Sequence, residues 1–437
     1  MSERKMIYLC LAHMSENGME QKYVKEAFDT NWVVPMGPNV NGFEKDLETF
    51  VNRRDFSTQP SASLEMTEWK DRKVVCLSAG TAAVHLALIA CGVKAGDEVL
   101  VQSFTFCASS HPITYLGAKP VFIDSERDTW NMDPELLEKA IIERKEVTGK
   151  YPKAIIPVAL YGMPYDCEKI MAIADKYGIP VIEDAAEGMG SRFNGQVLGT
   201  FGRFGVLSFN GNKMITTSGG GALICRTPED ANEIMWYATQ ARDAYPYYEH
   251  TAIGYNYRMS NVCAGIGRGQ MTVLDDHIAH HKHVQQLYRE LLADVPGVTL
   301  HDQPADPRYD SNFWLCAATL DPSVKIVGQE NAYKTVITSA VGGAAGVIKA
   351  VDSAVTDCQP NDNVEALRVF MLDKKVECRP VWKPMHKQPV YADAVAYVNG
   401  VSEDIFKVGF CLPAGPAVTD EDVRYIVDCI KEAVVEE

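Results

Sequence analysis

An alternation of strand-like and helix-like segments between about residues 74 and 225 constrains the fold of this chain more than any other feature. Short apolar runs rich in β-branched residues, such as residues 99–102 and 120–123, alternate with stretches that carry apolar residues at helical spacing. One such stretch, residues 166–177, starts with Asp166 and is followed by Gly178, which are typical helix-capping residues. Strands and helices in this order predict a mainly parallel sheet covered by helices, which is an α/β fold.

The pattern changes after about residue 270. A long helix over residues 273–293 leads into a mixed α/β region, and a last helix over residues 420–434 begins with Thr419 and Asp422 at capping-box spacing. We therefore predict a large domain with an N-terminal segment, residues 1–270, and a smaller C-terminal α/β domain, residues 271–437. The apolar run at residues 6–12 predicts a strand rather than a signal peptide, because it is short and lacks a cleavage site.

Composition excludes several classes of protein. The chain has 437 residues, and 42 basic against 58 acidic side chains give a net charge of −16, which argues against a nucleic-acid partner. Its twelve cysteines stand singly and many lie in apolar runs, which predicts that those are buried free thiols in a reducing compartment rather than zinc ligands or disulfides. No apolar stretch is long enough to span a bilayer, so we expect a cytoplasmic protein without a membrane partner. Four histidines lie between residues 277 and 283, and Asp275 and Asp276 at the start of that helix favour a solvated surface over a metal site.

Two polar segments follow predicted strands where ligands of parallel sheets bind. Gly80, Thr81 and Ala82 open a helix, so their backbone N–H groups and the helix dipole suit an anion. Asp184 ends a buried strand, where a carboxylate is costly without a cation such as a protonated ring nitrogen. Taken singly, the first segment also fits an ordinary capped turn, and Asp184 also fits a helix cap or a structural ion pair.

A third segment places Lys213 in a turn rich in Gly, Asn and Ser after another apolar strand. A desolvated lysine there is an amine nucleophile able to form a Schiff base, although any single lysine is more often a surface residue. The triple glycine at residues 219–221 is not a dinucleotide fingerprint, which disfavours a nicotinamide enzyme.

Together these segments resemble the signature of the DegT-type sugar-nucleotide aminotransferases, which are pyridoxal phosphate (PLP) enzymes of fold type I. The segments that carry the resemblance are residues 78–83 (SAGTAA), 102–106 (QSFTF), 183–187 (EDAAE), 208–213 (SFNGNK), 254–259 (GYNYRM) and 379–386 (RPVWKPMH). The resemblance covers nearly the whole chain and implies an aspartate aminotransferase-like fold, with a large domain on a mainly parallel mixed sheet and a smaller C-terminal domain.

The resemblance also implies roles around the cofactor. Lys213 would hold PLP as a Schiff base and shuttle the proton, while Asp184 would pair with the pyridinium nitrogen. Glu187 would lie near the phenolic oxygen, where many relatives carry Gln, and Phe106 would stack on the ring. The phosphate would be held by the helix start and the end of a neighbouring strand, through Gly80, Thr81, Ala82 and Ser208.

Two further implications concern the partner subunit and the substrates. Asn256 would reach the phosphate from the second subunit of a homodimer with shared active sites. The sugar nucleotide would contact Asn31, Trp32, Trp382 and His386.

Within the family, the segments around Lys213 and at residues 382–386 look most like enzymes that aminate C4 of a UDP-4-keto-6-deoxy-N-acetylhexosamine in bacillosamine-type pathways. The implied amino donor is glutamate, in a ping-pong reaction. Two alternatives stay open: a PLP-dependent sugar dehydratase or isomerase of the same lineage, which the lysine at position 213 disfavours, and a non-catalytic PLP-binding regulator. Insertions near residues 53–72 and 324–363 depart from the family pattern and have no assigned role.

Overall fold

The computed structural model describes residues 4–53, 71–333 and 358–435, so most of the two insertions lies outside the described residues. The helices are α1 (Met19–Asp29), α2 (Pro38–Val51), α3 (Gly80–Ala90), α4 (His111–Tyr115), α5 (Pro134–Thr148), α6 (Cys167–Tyr177), α7 (Pro228–Ala238), α8 (Asn261–Met271), α9 (Leu274–Leu292), α10 (Asp362–Asp373), α11 (Val401–Val408) and α12 (Asp420–Ala433).

The strands follow the same chain order. They are β1 (Lys73–Leu77), β2 (Glu98–Gln102), β3 (Lys119–Ile123), β4 (Ile155–Ile156), β5 (Ile182–Asp184), β6 (Arg192–Phe193), β7 (Gln196–Val197), β8 (Phe204–Ser208), β9 (Gly221–Cys225), β10 (Val298–Leu300), β11 (Tyr309–Asp310), β12 (Cys316–Leu320), β13 (Arg379–Pro380), β14 (Val395–Tyr397) and β15 (Gly409–Leu412).

A central mixed sheet organises the first half of the chain. Strands β1, β9, β8 and β5 pair in that order, and β14, β3, β2 and β4 pair in that order. Parallel bridges from Ile155 to Val181 and from Val158 to Asp184 join the two sets between β4 and β5. Among the described strands of this sheet, only the pairings of β9 with β1 and with β8 are antiparallel. The expected α/β fold with a mainly parallel sheet is confirmed.

Both faces of this sheet are covered, which explains why its strands are continuously apolar. Alternate residues of one strand enter opposite cores: Leu100 of β2 packs into the cluster that includes α5 and α6, whereas Val99 and Val101 pack into the cluster under α3. The inner strands therefore run between two packed layers, whereas the edge strand β14 is partly exposed.

A second sheet, in the order β10, β12, β15 and β13, lies in the C-terminal half with a separate apolar cluster that includes residues of α9, α10 and α12. The C-terminal half also contributes to the central sheet, because β14 pairs in parallel with β3 from Val395 to Tyr397. This part of the chain returns to the end of β2, which places residues 382–387 beside the carboxyl ends of the strands. The boundary at residue 270 stays a prediction.

Several local predictions are confirmed. The Asp166 side chain accepts a hydrogen bond from the Lys169 N–H at the start of α6, and Gly178 ends that helix in a left-handed conformation. Thr419 and Asp422 form the predicted capping box of α12.

Other local predictions are wrong. Residues 6–12 form no strand, because only Ile7 bridges to Val376. The helix surface near residue 280 is not wholly solvated: His281 is fully buried beside the Phe313 carbonyl, and His277 is buried beside the Met214 carbonyl. Among the described residues no group of three His, Cys, Asp or Glu side chains could hold a metal ion, and no helix is long and apolar enough to cross a membrane.

Candidate active site

A cavity of about 290 Å³ opens at the carboxyl ends of β1, β2, β5 and β8. Its volume is at the lower end of the range for small-molecule sites, roughly 300–1,000 Å³. Of the site residues predicted from the sequence, those that line it are Gly80, Thr81, Phe106, Asp184, Glu187, Ser208, Lys213 and Trp382.

The N-terminus of α3 forms one end of the cavity. Ala79 precedes the helix in an extended conformation, and no side chain caps the helix. The first N–H groups of a helix have no intrahelical partner, so here they suit an anion. Gly80 favours close packing, because a Cβ at this position would lie 3.2 Å from the Cβ of Ser208. The close contact between Gly80 and Ser208 brings the start of α3 and the end of β8 together at the edge of the cavity.

Asp184, the last residue of β5, lies deeper in the cavity and is buried. Its Oδ2 accepts a hydrogen bond from the Ser109 hydroxyl at 2.6 Å, and its Oδ1 accepts one from the Ala186 N–H at 3.1 Å. Loss of hydration by burial raises the pKa of Asp184, and these two bonds together with the Lys213 charge oppose the rise. A buried carboxylate that faces a cavity with so few donors suits a cationic ligand.

Lys213 lies in the turn after β8 with its side chain 13% exposed, so it is not a surface lysine. Its Nζ lies 3.4 Å from Oε1 of Glu187 and 4.0 Å from the centroid of the Trp314 ring. The carboxylate and the aromatic face both stabilise an ammonium group at this place. The amine is thus held inside the cavity, in the same space as Asp184 and the start of α3.

Glu187 is positioned by the backbone of a distant turn. Its Oε2 accepts a hydrogen bond from the Tyr161 N–H at 2.7 Å, within a 3-10 helix where Tyr161 has the uncommon φ of 53°. Burial raises the pKa of Glu187, and the neighbouring Lys213 charge opposes this shift. The Glu187 carboxylate therefore lies between one cation and one backbone donor.

An aromatic wall closes the other side of the cavity. The Trp382 ring packs 5.1 Å from Phe106 and lies nearly parallel to Tyr161 at 6.4 Å, measured between ring centroids. The backbone N–H of Trp382 donates to the Tyr161 hydroxyl at 2.8 Å. Phe106 remains 48% exposed, so its ring is accessible to a flat ligand.

Five predicted site residues do not line the cavity of this chain. Ala82 is buried within α3, and Asn31 and Asn256 are exposed elsewhere. Trp32 is 41% exposed beyond α1, and both ring nitrogens of His386 contact protein groups. The expected contacts of these five residues stay predictions.

Sequence reasoning missed three residues that shape the site: Ser109, Tyr161 and Trp314. Ser109 follows residues 102–106 closely, so proximity to that motif was the only local signal. Tyr161 and Trp314 lie far along the chain from the residues they contact, and no sequence pattern marked them.

The sequence of the chain is similar to those of known aminotransferases. The chain matches the DegT/DnrJ/EryC1/StrS aminotransferase family over residues 14–343 and 329–431. It is 39% identical to a protein of Bacillus subtilis (strain 168) named "Putative pyridoxal phosphate-dependent aminotransferase EpsN", over 98% of this chain and 95% of that one. It is 31% identical to GDP-perosamine synthase of Escherichia coli O157:H7, over 98% of this chain and 99% of that one.

A solved structure has the same fold. A DegT DnrJ EryC1 StrS aminotransferase from Brucella abortus matches with a TM-score of 0.77 at 24% identity, covering 95% of each chain. The fold and the family match together define a fold type I enzyme that depends on PLP. The chain belongs to the DegT/DnrJ/EryC1/StrS aminotransferase family, and it is a sugar aminotransferase.

The described residues fit the PLP cofactor. An uncapped helix start suits its phosphate, and the buried Asp184 carboxylate with two protein donors suits its ring nitrogen. Lys213 offers the amine that such a cofactor requires, and Phe106 offers an exposed ring face. All four features border one cavity.

Proposed function

We propose that this enzyme transfers an amino group from glutamate to C4 of a UDP-linked 4-keto-6-deoxy-N-acetylhexosamine, in two half-reactions at one site. The observation that carries this proposal is the Lys213 amine, held by Glu187 and Trp314 in a cavity that also holds Asp184. PLP, when bound, carries the amino group between the substrates and withdraws electrons from the carbon that loses a proton.

The residues of this chain would divide the work. Lys213 would bind the cofactor covalently and move a proton at Cα of the donor and at C4 of the acceptor. Asp184, oriented by Ser109, would hold the ring nitrogen protonated. The start of α3, with Thr81 and Ser208, would hold the phosphate.

Glu187 and the aromatic wall would orient the reacting groups. Glu187 would lie beside the phenolic oxygen, because the Tyr161 N–H fixes its carboxylate next to Lys213. Phe106 would cover the cofactor ring, and Trp382 would exclude water on the side from which substrates approach.

The proposed UDP group and the proposed amination at C4 are both inferred from the resemblance of the sequence around Lys213 and at residues 382–386. The similarity to a GDP-perosamine synthase makes the nucleotide the first point to test. The experiment is to incubate the protein with glutamate and UDP-, GDP- or dTDP-linked keto-sugars and to identify the product by mass and proton spectra. Amination of the UDP-linked 4-keto sugar at C4 supports the proposal, and amination of the GDP-linked sugar alone overturns it. A Lys213→Ala protein is the control and should give no product.

The proposal includes a homodimer whose subunits share their active sites. Asn256 is exposed and does not line the candidate cavity of its own chain, which supports a contribution to the site of a second copy. Mixed dimers test this arrangement. The Lys213→Ala protein, inactive alone, and the Asn256→Ala protein, weakly active alone, should regain activity after subunit exchange, because one of the two sites then has both native residues. No recovery in dimers shown to contain both chains contradicts sharing.

A further inference from the structure

The segment of residues 382–387, here called the wall segment, is fastened to the end of β2. The Met385 N–H donates to the Ser103 carbonyl at 2.7 Å, and the His386 N–H donates to the Ser103 hydroxyl at 3.2 Å. The Ser103 N–H in turn donates to the Ile123 carbonyl at 2.8 Å, which ties Ser103 to the strand pair β2 and β3. The wall segment is therefore attached to the rigid edge of the central sheet.

The His386 ring completes this attachment. Its Nδ1 lies 2.7 Å from the Ser103 Oγ, and its Nε2 lies 3.2 Å from Oε1 of Glu403 in the first turn of α11. Since the Ser103 hydroxyl already accepts the His386 N–H, it has its own proton to donate to Nδ1. In the tautomer with the ring proton on Nε2, the ring accepts from the Ser103 hydroxyl and donates to Glu403.

His386 is badly placed for direct contact with a substrate. Its side chain is 7% exposed and does not border the cavity. Ser103 is fully buried, so the Ser103, His386 and Glu403 side chains are not a hydrolytic triad, because no substrate reaches the hydroxyl. Both ring nitrogens of His386 already have protein partners.

We propose that His386 is a positioning residue, which holds the wall segment so that Trp382 stays packed against Phe106 at the mouth of the cavity. This role rests on the proposed function, and within the wall segment it assigns the contact with the substrate to Trp382 rather than to His386. Trp382 borders the cavity and is fixed at its own end by the Tyr161 hydroxyl. The wall segment is thus held by Trp382 to Tyr161, by Met385 and His386 to Ser103, and by His386 and Lys387 to Glu403.

The test combines amide hydrogen exchange with kinetics in a His386→Ala protein. Exchange of the amides in residues 382–387 of the cofactor-free protein should speed up about tenfold, because two side-chain hydrogen bonds that hold the segment are lost. The KM for the sugar nucleotide should rise roughly tenfold while kcat changes less than about threefold, because a loosened wall weakens binding more than chemistry.

Two further variants separate positioning from other roles. His386→Asn retains an acceptor for the Ser103 hydroxyl and should restore most of the amide protection and most of the KM. His283→Ala is the matched control, since His283 also contacts a carboxylate, Asp420 at 2.8 Å, but lies on α9 away from the cavity. It should leave exchange in the wall segment and the KM unchanged.

The KM and the amide exchange of the His386→Ala protein together distinguish positioning by His386 from direct contact with the substrate. Raised KM with unchanged amide exchange in His386→Ala would mean that His386 contacts the substrate directly, and the proposal would be overturned. Unchanged KM together with unchanged exchange would also overturn it. If the wild-type protein aminates no keto-sugar, the proposed function fails, but exchange in the cofactor-free protein still shows whether His386 fastens the wall segment.

Discussion

The ammonium group of Lys213 lies 4.0 Å above the centroid of the Trp314 ring. The Trp314 Nε1–H donates to the Asn212 carbonyl at 2.7 Å, so the ring is fixed to the same turn that carries the lysine. An aromatic face attracts a cation most strongly when water is excluded, and Lys213 is largely buried. Trp314 therefore helps to fix the position of the amine whenever the amine is not bonded to the cofactor.

Replacement of Trp314 should slow the steps in which Lys213 moves a proton. Trp314→Leu removes the aromatic face and should reduce the single-turnover rate with glutamate about tenfold, a factor in keeping with a partly desolvated cation–π contact. Trp314→Phe retains a ring and should lose less. Trp236→Leu, a change outside the cavity, is the control. Equal rates in the Leu variant and the wild type would refute this role for Trp314.

Ser109 should contribute to PLP binding through its hydrogen bond to Asp184. Ser109→Ala removes the 2.6 Å donor and should weaken PLP binding about tenfold, since hydrogen bonds to charged groups are stronger than neutral ones. Ser110→Ala is a matched control: Ser110 is equally buried, but its hydroxyl donates to the Cys107 carbonyl. Cofactor titration by absorbance measures both variants, and equal weakening in both would show that the Asp184 contact is not the cause.

Asp184→Asn should impair transamination without unfolding the protein. The variant should bind PLP weakly and transaminate at least about a hundredfold more slowly, because the ring nitrogen loses its anionic partner. Its fold should remain intact, because Asn occupies nearly the same volume. Single-turnover kinetics with glutamate measure the loss, and a rate within a few-fold of the wild type would contradict this role.

The same substitution should stabilise the cofactor-free protein. Burial raises the pKa of Asp184 above its ordinary value of 3.8, so the folded protein ionises this group less readily than the unfolded chain. Its contribution to folding is present below that ordinary value and is lost as the pH rises through the raised pKa. Asp184→Asn should therefore gain in stability over the wild type as the pH increases. Urea unfolding at about pH 5 and about pH 8 tests the sign.

Thr81 offers a test of the anion site at the start of α3. Thr81→Val preserves the shape of the side chain but removes the hydroxyl, and should weaken binding of PLP about tenfold if that hydroxyl holds the phosphate. Thr81→Ser retains the hydroxyl and should bind nearly as the wild type does. Equal affinity of the Val and Ser variants would place the phosphate on the backbone N–H groups alone.

Local sequence patterns predicted those parts of the site that depend on single strand–turn units. The start of α3, Asp184 at the end of β5 and Lys213 after β8 each follow a short apolar run, so their common location followed from the geometry of a parallel sheet. The capping residues of α6 and α12 were predicted for the same reason, because their signals lie within four residues.

Contacts between distant segments could not be predicted in this way. Trp314 approaches Lys213 because residues 312–314 pack on the turn after Glu187, where the Asn312 amide donates to the Glu187 and Met189 carbonyls. β14 joins the central sheet only after the chain has passed through β10, β12 and β13 of the second sheet. His277 and His281 face the core because α9 packs against other elements on that side, which helical periodicity in one segment does not reveal.

The most direct test of the central claim is reduction of the purified, PLP-loaded protein with borohydride, followed by peptide mapping. The pyridoxyl label should lie on Lys213, within the turn after β8, and a Lys213→Ala protein should carry no label at any position. A label on another lysine, or none on the wild-type protein, would contradict the assignment of Lys213 as the residue that binds the cofactor.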